Sequence, residues 1–192
     1  MNILVSPYNK ENHYFRSDST LIRTVPEFYI PDFVESISAT PILVFRVDLP
    51  GKVIDKRFAY RYLGKFMYGV MLTPQMKESV HPDFQEYLKH SLDYSTIIPA
   101  IMTEKESLDK FLSEENPFTV EINGWERFRC TKNIPLDKVY EKFSRMTQFC
   151  SVRTGDYIAF ELCEPIPVKV QEHIVAKTRT EKEEIRIDIT LL

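Results

Sequence analysis

Phe118-Thr119-Val120-Glu121-Ile122-Asn123-Gly124-Trp125-Glu126-Arg127-Phe128-Arg129-Cys130 is the passage that decides the fold class. Two runs rich in aromatic and β-branched residues flank Asn-Gly, the pair best suited to the two positive-φ positions of a type I′ turn. The passage is therefore a β-hairpin. Further strands follow outward from it. Near the C-terminus Ile185, Ile187, Ile189 and Leu191 alternate with Arg186, Asp188 and Thr190, the pattern of a half-buried strand. Pro41 to Val47 is apolar apart from Arg46, which suits a strand buried on both faces. Ile3 to Val5 makes a short first strand. Tyr157 to Leu162 makes another after the turn Thr154-Gly155-Asp156, and Val168 with Val170 begins one more.

Helical signals are fewer. Leu136, Val139, Tyr140, Phe143 and Met146 keep helical spacing behind Pro135, a residue that favours the first helical turn. Thr103-Glu104-Lys105-Glu106 has the form of a capping box, with Thr103 as N-cap, opening a helix through Leu108, Phe111 and Leu112. Phe58 to Phe66 reads as a short helix, and Leu49-Pro50-Gly51 as a turn. Ser6 to Glu27 reads as loop with one helical turn at most. Strands dominate and helices are set between them, so the expected class is α+β. No repeat or linker divides the chain, and one domain over 1–192 is expected.

Composition excludes several function classes. The net charge of −3 comes with no cluster of Lys and Arg, whereas a nucleic-acid or acidic-membrane partner calls for a basic face. Cys130, Cys150 and Cys163 are too widely spaced for a zinc site and odd in number for a disulfide framework. The opening MNILVSPYNK has no long apolar stretch and no 18-residue apolar run follows, so a reduced, cytoplasmic protein away from membranes is expected. Lys56-Arg57, the pair Lys177 and Arg179, and Glu181-Lys182-Glu183-Glu184 read as solvated faces or a charged turn.

Several phrases carry a family resemblance by their order and spacing. They are Phe28-Tyr29-Ile30-Pro31-Asp32-Phe33, Leu43 to Val47, Gly51 to Ala59, Leu92-Asp93-Tyr94-Ser95, Val120 to Gly124, Thr154-Gly155-Asp156 and the closing strand. Together they resemble the fumarylacetoacetate hydrolase family, most of all its short bacterial members labelled hydroxyheptadienedioate isomerases or acylpyruvate hydrolases. The resemblance runs from about residue 28 to the C-terminus, with 1–27 a divergent segment. It implies a mixed β-sandwich roll of the fumarylacetoacetate hydrolase C-terminal-domain type and a homodimer.

The same resemblance implies where a site would lie. The family holds Mg²⁺, Mn²⁺ or Ca²⁺ with a Glu-x-Glu pair and an Asp, and the metal polarises a 2-oxo or 1,3-dicarbonyl acid. Those positions fall here on Thr40, Ile42 and Met71. The family's lysine falls on His90, three residues before Asp93. Its Thr-Gly-Thr-Pro loop falls on Glu161-Leu162-Cys163-Glu164-Pro165, where two acids would repel a substrate carboxylate. The Phe-Leu-Lys-Pro segment is largely deleted between Ile22 and Pro26, and the lid histidine has a one-residue-displaced counterpart in His13. The expectation is no resident metal, no cofactor and no inherited catalytic residue, in a non-catalytic binding or partner protein whose ligand the sequence does not name. The competing expectation is a divergent hydrolase or isomerase with a relocated or metal-independent site. His90, Glu161 and Glu164 would then form an acid/base or metal pocket, with His13 as a stand-in for His90. A solvated loop at Glu161–Glu164 and a semi-buried thiol at Cys163 are the plainer readings of that segment.

Overall fold

The hairpin forms where the sequence places it. Phe118–Ile122 pairs antiparallel with Trp125–Cys130, and Asn123 and Gly124 take φ of 51° and 78° at the turn. A computed structural model describes residues 1–24, 26–180 and 183–192. Its first part comprises β1 (Asn2–Ser6), β2 (Tyr14–Ser17), β3 (Leu21–Ile22), β4 (Glu27–Phe28) and two fourteen-residue strands, β5 (Val34–Val47) and β6 (Leu63–Met76). Then come α1 (Pro82–Ser91), β7 (Thr96–Ile97), β8 (Thr103–Glu104), α2 (Leu108–Phe111), the hairpin strands β9 (Phe118–Ile122) and β10 (Trp125–Cys130), and α3 (Leu136–Phe149). β11 (Tyr157–Glu161), β12 (Ile166–Val168), β13 (His173–Arg179) and β14 (Glu184–Leu191) close the chain.

Two sheets result among the described residues. The larger runs β2-β1-β11-β5-β6-β7-β3, with β12 also on β5 and β8 also on β6; the smaller runs β10-β9-β13-β14-β4. β2 and β3, at opposite ends of the larger path, are joined only by the 3₁₀ turn Asp18–Thr20, so that sheet curls back on itself into a roll. Successive side chains on a strand point to opposite faces. Leu43, Phe45, Leu72, Ile158 and Phe160 therefore enter the main core with Phe118, Val120, Ile187, Ile189 and the Val139, Phe143, Met146 face of α3. Ile42, Val44, Met71, Tyr157 and Ala159 point the other way, into the roll. The α+β class and the mixed β-sandwich roll expected from the sequence are what the chain adopts.

Local readings diverge where tertiary contacts overrule them. Thr103 does not cap a helix: it lies in β8 opposite Phe66, and the 3₁₀ turn Lys105–Ser107 that follows has no side-chain cap. Phe58 to Phe66 is split between a 3₁₀ helix, Lys56–Arg61, and the start of β6. The polar stretch before residue 27 contains β2 and β3. Val170 is exposed and outside any strand, and β13, unread in the sequence, begins at His173. Of the Glu181–Glu184 run, Glu181 and Lys182 lie outside the described residues. No helix among the described residues is long and apolar enough to cross a membrane.

Candidate functional site

The interior of the roll is the place where the resemblance would put a metal and its substrate. Thr40 and Met71 are direct partners across β5 and β6, while Ile42 faces Gly69 on one side and Glu161 on the other. All three are buried, Thr40 1 % exposed and Ile42 and Met71 0 %. Ile42 and Met71 pack in an apolar cluster with Ile3, Val5, Val44, Ile98, Tyr157 and Ala159. Gly69 makes room for this: a β-carbon there would lie 2.5 Å from the Ile97 carbonyl oxygen and 3.4 Å from Ile42 Cγ1. Each fully buried Ile or Met stabilises the fold by about 1.5–3 kcal/mol.

A hard divalent cation does not fit this lining. Isoleucine has no ligand atom, the methionine thioether is soft, and threonine brings one neutral hydroxyl. Among the described residues, no three of His, Cys, Asp and Glu converge as a metal cage.

A cation of another kind occupies the interior. Arg16, on β2, is 1 % exposed and is the largest fully buried side chain among the described residues. Its Nη2 donates to the carbonyl oxygens of Leu72 at 3.0 Å and Ser95 at 3.4 Å, and to the Ser95 hydroxyl. Leu72 is the neighbour of Met71, so the guanidinium reaches the strand position beside Met71. Arg16 Nε and Nη1 have no hydrogen-bond partner among the described residues. Burial pulls the Arg16 pKa below its ordinary value, and Tyr14 and Glu161 oppose that shift.

The structure brings His90 and Glu161 together through a residue that the sequence did not single out. The Tyr14 ring stacks on His90 with centroids 4.0 Å apart, and its hydroxyl donates to Glu161 Oε1 at 2.7 Å. The Tyr8 backbone N–H donates to Glu161 Oε2 at 2.9 Å. Burial, and next the Arg16 charge, push the His90 imidazole down to about 4, and its buried Nδ1 has no partner among the described residues. Burial, and next Glu161, push the Tyr14 hydroxyl well above its ordinary value. Glu164 stands apart, exposed to solvent. Cys163 is pushed up to about 11 by burial first and then by Glu161 and Glu164, so its thiol is protonated at neutral pH. His13 packs on Phe15 and Phe149, with centroids 6.1 and 5.5 Å away, beside a cavity of about 30 Å³ that it shares with Lys10 and Lys142.

Tyr14 and Arg16 escape a sequence reading because Tyr14-Phe15-Arg16-Ser17 is too short for a periodicity. An arginine in a polar stretch reads as solvated unless the strand's neighbours are known.

No family model matches the sequence, and no curated protein matches it. Solved structures do. A protein ascribed to the fumarylacetoacetate hydrolase family from Yersinia pestis CO92 matches over 100 % of this chain and 92 % of its own, at TM-score 0.72 and 14 % identity. A fumarylpyruvate hydrolase from Pseudomonas aeruginosa, in complex with Mn²⁺ and pyruvate, matches over 100 % and 90 %, at 0.73 and 12 %. A 2-hydroxyhepta-2,4-diene-1,7-dioate isomerase from Mycobacterium marinum matches over 100 % and 73 %, at 0.73 and 10 %. At such identities the likeness is one of fold.

Proposed function

We propose, from the premise that this chain carries the fumarylacetoacetate hydrolase fold, that it is a non-catalytic member acting as a binding or partner protein. The observation that carries the reading is the interior of the roll. On the family resemblance Thr40, Ile42 and Met71 take the places of the family's carboxylates; all three are buried, Ile42 and Met71 pack in an apolar cluster, and the Arg16 guanidinium donates to the Leu72 carbonyl oxygen next to Met71. A divalent cation placed there would meet no anionic oxygen ligand from those three residues and a fixed positive charge nearby. The titratable groups support the same reading. An efficient general acid or base has a pKa near the working pH, whereas burial moves His90 down to about 4 and Tyr14 and Cys163 upward. A cytoplasmic location and self-pairing belong to this proposal as family-level expectations, the second testable by sedimentation.

A second reading has one specific observation in its favour. His90, Tyr14 and Glu161 form a continuous line of contacts, and the structural neighbours include enzymes named as a hydrolase and an isomerase. Such a site would act without metal on a 2-oxo or 1,3-dicarbonyl acid, with Tyr14 and His90 in contact with the substrate.

One experiment separates the readings: calorimetric titration with Mg²⁺ and Mn²⁺, alongside turnover of a panel of acylpyruvates with and without EDTA. The first reading expects neither metal binding nor turnover. Metal-dependent cleavage overturns it, and EDTA-resistant turnover that is lost in Tyr14→Phe establishes the second.

A further inference from the structure

Away from the roll interior, the segments 27–33 and 88–94 enclose a groove of about 510 Å³. That volume is within the range of small-molecule sites. Its ten lining residues share nothing with the group formed by Tyr14, Arg16, His90 and Glu161, and none is Lys, Arg or His. What the lining does contain is two carboxylates, Glu27 and Asp93, and the rings of Phe28, Tyr29, Phe33 and Tyr94. Phe28 is buried, while Tyr29 and Tyr94 are 69 % and 57 % exposed.

One carboxylate is tied to a ring, and a second ring is held by its backbone. The Tyr29 hydroxyl donates to Glu27 Oε2 at 2.9 Å, holding ring and acid side by side. Tyr94 has φ of +59°, a left-handed backbone that an aromatic residue seldom adopts, and its N–H is tied to the Ser19 carbonyl at 3.2 Å. Asp93, the next residue back, makes no ion pair among the described residues. A weakly hydrated cation is stabilised over aromatic faces by the ring quadrupole and gains further from nearby carboxylates, whereas an anion is repelled by both.

We propose that this groove binds a small organic cation, an alkylammonium compound whose apolar tail lies on the Phe28 and Leu88 floor. Its head would sit between Tyr29, Tyr94, Glu27 and Asp93. Charge complementarity selects this occupant: two acids line the site with no base among them.

The test is calorimetric titration of the intact protein with hexyltrimethylammonium and, separately, with hexanesulfonate, which has the same tail and the opposite charge. Saturable binding of the cation alone is expected. Tyr94→Asn removes the ring while keeping a residue that tolerates left-handed backbone, and it is expected to weaken binding about fivefold, equivalent to about 1 kcal/mol. Asp93→Asn is expected to weaken it further as salt is lowered, relative to wild type. Matched melting curves for the variants exclude misfolding. Equal binding of the two probes overturns the proposal, as does absence of binding at millimolar concentration. So does a wild-type dimer that Tyr29→Ser with Tyr94→Asn converts to monomer, since the groove would then be covered by a second copy.

Discussion

Ile42→Glu is the most direct test of whether the roll interior is packed core or dormant metal site. Ile42 is 0 % exposed, lies over Gly69 and stands opposite Glu161 across the strand pair. Losing its apolar burial costs about 2–3 kcal/mol. The new carboxylate would enter a cluster of Ile3, Val5, Val44 and Met71 beside an existing acid, where burial and like charge raise its pKa against the opposing pull of the Arg16 guanidinium. A rise of about 2 units adds about 3 kcal/mol at neutral pH, for a total loss of about 5 kcal/mol. The pH dependence fixes the sign. An acid whose folded pKa is raised loses stability as pH climbs above its unfolded value of about 4.3 and recovers below it. The deficit should therefore shrink toward about 2–3 kcal/mol near pH 4. Urea unfolding of wild type, Ile42→Val and Ile42→Glu across pH 4–8 measures this, with Ile42→Val expected to cost about 1 kcal/mol. A loss below about 1 kcal/mol for Ile42→Glu refutes the reasoning, and so does a midpoint raised by Mn²⁺.

Three other outcomes follow from the same physics. The depressed pKa of His90 means that the unfolded chain takes up its proton first, so wild type should lose stability as pH falls from about 6.5 toward about 4. His90 is only partly buried, so screening trims the effect to about 1–2 kcal/mol, and His90→Gln should flatten that slope in urea midpoints. Cys163, held up to about 11 from an ordinary 9.0, should react with iodoacetamide at pH 7 about a hundredfold more slowly than an unperturbed thiol, as read by peptide mapping. Gly69→Ala should cost about 1–3 kcal/mol in thermal unfolding, because its β-carbon would meet backbone, the Ile97 carbonyl oxygen, rather than a yielding side chain.

The elements legible in the sequence are those whose signal is local. Asn123-Gly124 specifies its hairpin because two consecutive positive-φ positions admit few residues. The alternation from Ile185 to Leu191 reads directly because β14 has one wet face and one dry. β6 is obscure for the opposite reason: buried on both faces over most of its length and containing Gly64, Gly69 and Pro74, it shows no alternation. α1 is faint because its apolar stripe is only Phe84, Tyr87 and Leu88, with none of its residues fully buried, too few positions to establish a helical period.

The sequence by itself determined the class of fold, the strand-forming hairpin and tail, and the identities at positions 40, 42 and 71, because those follow from residue type and near-neighbour spacing. Only the tertiary structure decided that Arg16 is buried and that Tyr14 joins His90 to Glu161, 147 residues further along the chain. Those contacts depend on the order of strands in the roll, where β2 closes next to β1 and β11 carries Glu161 alongside β5. Strand order is set by long-range burial, which no local pattern encodes.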